Sequence, residues 1–170
     1  HIVEVIRLLA EKGHKMHVFV GNDDKAKVLF KSKNVTIHRV KYKKIPNLNS
    51  LFYERAAIKA VLNSGIKFDL LHAKQVYPQA LIARKLKEKL GIPMYVTVQN
   101  PLAYKEEMVL KGAWKFLLSK GLWALELQIK NALKSADICA CGSKYSQTNA
   151  IKMGAKNTVL IPNGIDLTKF

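Results

Sequence analysis

SADICACGSKYSQTNAIKMGAKNTVLIPNGID, residues 135–166, switches its hydrophobic period twice. The run ICAC is short and apolar, bounded by Asp137 and Gly142, which is the signature of a buried strand. Ser143 then stands where a helix N-cap belongs, KYSQTNAIK follows, and Gly154 supplies the stop. TVLI is a second apolar run, ended by Pro162, which has no backbone donor to continue a ladder. Two apolar strands joined by a helix make a βαβ unit. Strands without polar alternation belong in a parallel sheet covered on both faces.

The same alternation extends upstream. IVEVIRLLAEKG places Val3, Ile6 and Ala10 on one helical face, with Gly13 as its stop. KMHVFVG reads as a buried strand, and VTIHRVK as a more polar strand nearer an edge. DDKAKVLFKSKN, between them, fits a short helix or a loop. LNSLFYERAAIKAVLNSG is a helix ending at Gly65, DLLHA a strand, YPQALIARKLKEKLG a helix stopped at Gly91, and PMYVTVQN a strand. The fold class is therefore α/β, a Rossmann-like, doubly wound, mostly parallel sheet with helices on both faces, expected as a single domain over residues 1–170. The chain opens on an uncapped helix, and in a doubly wound sheet a central strand with a phosphate-facing loop precedes such a helix. That first strand is missing from the residues given, and both ends read as cuts.

Composition narrows the partners. The chain carries a formal charge of +17, with 49% hydrophobic and 24% charged residues. Such a balance favours anionic partners. However, 25 of its 29 basic residues are lysine. Arginine is the usual tool for bidentate phosphate and base contacts, so nucleic acid is the less favoured partner; a solvated lysine surface and an anionic membrane surface remain. Cys139 and Cys141, two apart on one strand, point to one face and read as buried reduced thiols rather than a disulfide or a zinc site. No apolar run reaches about 18 residues. A cytoplasmic location, peripheral on a membrane, is the expectation.

Ligands of doubly wound sheets gather at the carboxyl ends of the strands. The residues there are His72 and Lys74, Gln99 and Asn100, Ser143, and the Asn163-Gly164 turn. Each has a structural reading beside the functional one. His72 and the two amides can simply finish a strand, Ser143 can cap a helix, and Asn163 and Gly164 tolerate positive φ in an ordinary turn. Gln99 and Asn100 can hold hydroxyls but cannot act as acid or base near neutral pH.

Several of these segments, in order, resemble the N-terminal domain of a glycosyltransferase of family 4 with the GT-B fold. LLAEKGHKMHVFV is similar to the family's first helix, turn and second strand. FDLLHAKQVYPQALIARKLKEKLGIPMYVTVQN follows its pattern of a strand ending in His, a helix, GIP and a further strand. LELQIKNALKSADICACGSKYSQTNAIKMGAKNTVLIPNGIDLTKF carries Glu126, Ala136-Asp137, Ser143, Gly154 and PNGID in the family's spacing. The resemblance implies an enzyme that transfers a sugar, with retention, from a nucleotide-sugar donor to a sugar or lipid-linked acceptor. It implies an acceptor-side domain here, a hinge near 162–170, and a C-terminal donor domain beyond it, so that the fragment alone is inactive. His72, Lys74, Gln99, Asn100, Ser143, Asn163 and Gly164 become the substrate-binding set; no cofactor and no metal is implied, and the catalytic residues are left unassigned. Relatives often carry His-Asp where this chain has Gln99-Asn100. Alternatives are a sugar-nucleotide epimerase of related fold and a basic nucleic-acid-binding α/β module. A dinucleotide-binding oxidoreductase lacks its G-x-G-x-x-G in these residues.

One stretch reads separately. In YKEEMVLKGAWKFLLSKGLWALELQIKNAL, Leu110, Trp114, Leu117 and Leu118 share a helical face, with Phe116 beside it and Lys111, Lys115 and Lys120 flanking. That pattern suits a helix packed on the sheet or one lying on anionic lipid. Gly112 and Gly121 weaken the stretch as one continuous helix.

Overall fold

Among the described residues every ladder is parallel, and the strands form two sheets. A computed structural model describes residues 2–22, 32–45, 48–99, 115–162 and 164, with backbone only over 115–120 and at 122. The chain divides into two compact units, His1–Ile66 and Lys67–Phe170.

In the first unit, α1 (Ile2–Glu11) leads into β1 (Met16–Gly21), which pairs in parallel with β2 (Val35–Val40), and α2 (Asn49–Leu62) follows. Gly13, at φ 93°, ends α1 in the left-handed region that favours glycine. Arg7 bridges Glu4 and Glu11 along α1, one turn away on either side. Ala10 is the buried contact of α1, and its carbonyl accepts from Asn34 Nδ2 at 2.9 Å, tying the helix to the entry of β2. The 23–34 segment, left open between helix and loop, lies outside the described residues up to position 31.

Register pairs His17 with Thr36 and Phe19 with His38, so these side chains share a face. His38 stacks on Phe19 with ring centroids 4.4 Å apart, and its Nε2 lies 3.1 Å from His17 Nδ1. That contact needs at least one neutral ring. Burial first, and the His17 charge second, hold the His38 pKa below the usual histidine value. The sign follows from linkage: the unfolded chain takes up the proton more readily than the folded one. Stability is then complete above the unfolded value of about 6.5 and falls as the pH drops through it. Urea midpoints measured at neutral and mildly acidic pH are expected to show this loss, and His38→Gln to flatten it; a wild-type midpoint that rises on acidification contradicts the assignment.

The second unit contains a four-stranded sheet in the order β3-β4-β5-β6. The strands are β3 (Leu71–Ala73), β4 (Met94–Val98), β5 (Ile138–Cys141) and β6 (Thr158–Leu160). Between them run α3 (Leu81–Leu90), α4 (Lys115–Ser135) and α5 (Lys144–Lys152). Paired residues of a parallel ladder point the same way, so Ala73, Val96, Cys139 and Thr158 form one face. Against that face lie α4, whose Leu133 carbonyl is 3.9 Å from Cys139 Sγ, and α5, whose Gln147 donates to Thr158 Oγ1 at 3.1 Å. Met94, Val96, Val98, Ile129, Ala132, Leu133, Cys139 and Cys141 are all fully buried there. Both cysteines are free, and burial pushes the Cys139 thiol up to about 12, so they behave as core side chains. Within this unit α4 and α5 lie on the same face of the sheet, as successive right-handed crossovers in one direction require.

Three findings refine the expected elements. α4 runs without a break through Gly121, because its buried Ile129, Ala132 and Leu133 stripe outweighs one glycine's propensity cost of about 1 kcal/mol. The helix expected from Tyr77 is preceded by a kink within Val76–Ala80, where Tyr77 is extended (φ −126°, ψ 134°) before Pro78, and the regular helix α3 begins only at Leu81. Asp137, at the entry of β5, acts as a clamp. Its carboxylate accepts from Lys87 Nζ at 2.5 Å and from the Met94 backbone N–H at 2.7 Å. The same Lys87 donates to the Ser135 carbonyl at 2.9 Å, joining α3, β4 and the end of α4. The lysine and the backbone N–H hold the Asp137 carboxyl below its usual range.

Candidate functional site

A parallel sheet brings all its strand carboxyl ends to one edge. In the second unit that edge carries, from neighbouring strands, Lys74 just past β3, Gln99 just past β4, Ser143 just past β5 and Gly164 beyond β6. His72 lies on β3 and faces the same way as Tyr95 on β4.

His72 is the most constrained of them. Its Nε2 is 2.8 Å from Thr97 Oγ1, and its ring meets Tyr95 edge-on at 4.7 Å. The residue as a whole still reaches solvent. The close packing of protein around the ring, and secondarily the Lys74 charge, push its pKa down to about 4. His72 is therefore neutral at pH 7, with one ring nitrogen engaged by Thr97 and the other able to meet a hydroxyl. Lys74 is itself held below the usual lysine value by burial. It supplies a partly shielded positive charge next to a neutral imidazole, a pairing suited to an oxygen-rich or anionic ligand.

Gln99 is exposed, directly after the buried end of β4, where its amide can both donate and accept. Ser143 caps α5: its Oγ accepts from Ser146 N–H at 3.1 Å, and Ser146 Oγ accepts from Ser143 N–H at 3.1 Å. This reciprocal capping box fixes the positive end of α5 at the strand-tip edge. Gly164 is exposed with open space around it. Asn100 and Asn163 lie outside the described residues. Of the seven positions read from the sequence, five are thus placed, all of them in the second unit.

Thr97 and Tyr95, which hold the His72 ring, were not singled out from the sequence. Alternation along MYVTV puts both on one face, but only the register Leu71↔Met94 brings that face beside His72. Among the described residues, no group of three or more His, Cys, Asp and Glu could hold a metal ion, and no helix is long and apolar enough to cross a membrane.

The chain has likenesses among known proteins. The Glycosyltransferase Family 4 sequence profile matches residues 1–169. The uncharacterized glycosyltransferase MJ1178 of Methanocaldococcus jannaschii is 31% identical over 137 residues, covering 79% of this chain and 34% of that protein. Sucrose-phosphate synthase from Thermosynechococcus elongatus superposes with a TM-score of 0.72 at 17% identity, covering 95% of this chain and 41% of the synthase chain, a likeness of fold. The chain thus spans about a third of the length of the curated relative it matches.

Proposed function

Because this chain belongs to Glycosyltransferase Family 4, we propose that it forms the acceptor-side wall of an enzyme that moves a glycosyl group from a nucleotide-sugar donor to an acceptor hydroxyl with retention of configuration. The observation that carries the reading is the His72 ring, held by Thr97 at 2.8 Å, with Lys74 close by at the strand-tip edge. In the transfer, the bond from the anomeric carbon to the donor phosphate oxygen breaks, and the acceptor oxygen bonds to that carbon on the same face as its proton passes to the departing phosphate oxygen. His72 and Gln99 orient the acceptor hydroxyls. Lys74 and the amino end of α5 favour the negative charge that grows on the departing phosphate. Asn100, Ser143, Asn163 and Gly164 complete the substrate-binding set in this reading. The donor's main binding groups belong to a C-terminal domain reached through a hinge near 162–170.

A lipid-linked or otherwise anionic acceptor fits the charge of +17, and a cytoplasmic, peripheral location fits such an acceptor. The test is a panel of nucleotide sugars offered to the full-length protein with water-soluble and lipid-linked acceptors, and proton NMR of the product. Transfer with the donor's anomeric configuration kept is the expected result. Inverted product, or epimerised donor without transfer, contradicts the proposal.

A further inference from the structure

Helix α4 shows apolar side chains on two opposite faces. One face holds Ile129, Ala132 and Leu133, all fully buried. At 3.6 residues per turn, Trp123, Leu127, Lys130 and Lys134 fall on a stripe on the other side. Trp123 is 70% exposed and Leu127 44% exposed. Lys130 and Lys134 continue the stripe toward the C-terminal end, both exposed. Glu126, the one acidic residue of the helix, pairs with Lys130 at 3.1 Å.

An indole on the surface costs hydration free energy unless something covers it. Trp is an amphipathic ring whose N–H prefers a wet, polar layer while its body prefers an apolar one, the conditions at the boundary of a bilayer. Lysines one and two turns further along the same stripe match the negative headgroups of such a boundary. The chain's excess of 29 basic over 12 acidic residues adds long-range attraction of the same sign. From this juxtaposition we propose that the Trp123–Leu127–Lys130–Lys134 stripe of α4 docks the protein on an anionic lipid surface, Trp123 and Leu127 entering the headgroup boundary. The proposal stands on the stripe itself and needs no assumption about the transfer reaction.

The test is co-sedimentation of the full-length protein with vesicles of phosphatidylcholine alone and of phosphatidylcholine mixed with phosphatidylglycerol. Binding is expected to rise with the anionic fraction and to weaken as salt is raised. Joint replacement Trp123→Ser and Leu127→Ser is expected to lower the partition coefficient roughly tenfold, given the apolar area withdrawn from the boundary. Ile151→Ser on α5, a residue 54% exposed, serves as the matched control and is expected to change little. Hydrogen exchange on the bound protein should slow in the peptide that spans Trp123 and Leu127. Three results overturn the proposal: binding indifferent to anionic lipid, a double variant that binds like the parent, or a control that loses as much as the double variant. Transfer to a water-soluble acceptor without vesicles is unaffected by any of these results, which keeps this test separate from that of the enzymatic reading.

Discussion

Replacing His72 with alanine in the full-length protein is expected to lower kcat/KM by about 10- to 100-fold, equivalent to about 1.4–2.8 kcal/mol of transition-state binding. The reasoning starts from the ring's environment. Thr97 holds one ring nitrogen at 2.8 Å and Tyr95 packs edge-on at 4.7 Å, so the imidazole has little rotational freedom to lose when a hydroxyl binds. Alanine removes that hydrogen bond and leaves the Thr97 hydroxyl without its partner. Thr97→Val tests the positioning role: it should lower kcat/KM less than His72→Ala does, because the ring remains but is no longer aimed. The packing around the ring, and secondarily the Lys74 charge, push its pKa down to about 4, which keeps it neutral through the range where an ordinary histidine changes charge. An acidic limb of activity near pH 6.5 that disappears in His72→Ala would contradict this environment. Unchanged kcat/KM in His72→Ala would remove the residue from the site.

The second large effect concerns the core. Leu133→Ala is expected to destabilise the second unit by about 2–5 kcal/mol, the range for emptying a fully buried leucine site. Leu133 is 0% exposed, and its carbonyl faces Cys139 Sγ across the helix–sheet contact. The cavity would open between α4 and the face carrying Val96 and Cys139. On the same helix, Leu127 is 44% exposed, and Leu127→Ala should stay within about 0.5 kcal/mol of the parent. Hydrogen exchange of the β4 and β5 amides under mild urea reads both variants without requiring the whole protein to unfold in one step. Equal protection in the two variants would mean that the buried face of α4 has been assigned wrongly.

Much of this architecture was legible because the local signals agreed with one another. The β5–α5–β6 unit is the clearest case. A short apolar run, a serine cap, a glycine stop and a second apolar run each say the same thing, and the capping box of Ser143 and Ser146 bears out the helix start. Gly13, Gly65, Gly91 and Gly154 all take positive φ where the helix pattern ended. The kink at Val76–Ala80 was not legible, because Pro78 signals an interruption without saying how the next helix resumes. Gly121 does not interrupt α4, since a glycine's propensity cost is small against a buried stripe, while Gly112 lies outside the described residues. The places of His72 on β3 and of Gln99 just past β4 could be read because each stands at the end of a short apolar run. The Thr97–His72 contact could not, since it depends on the register between strands that are separated in sequence by a helix.

The central claim is that the carboxyl-end edge of β3, β4 and β5 is where the acceptor binds. A crystal structure of the full-length protein with the acceptor identified by its own transfer assay tests this most directly. The account predicts an acceptor hydroxyl within about 3.2 Å of a His72 ring nitrogen or the Gln99 amide. An acceptor seated instead at the amino ends of the strands, beside Met94 and Ile138, would contradict it.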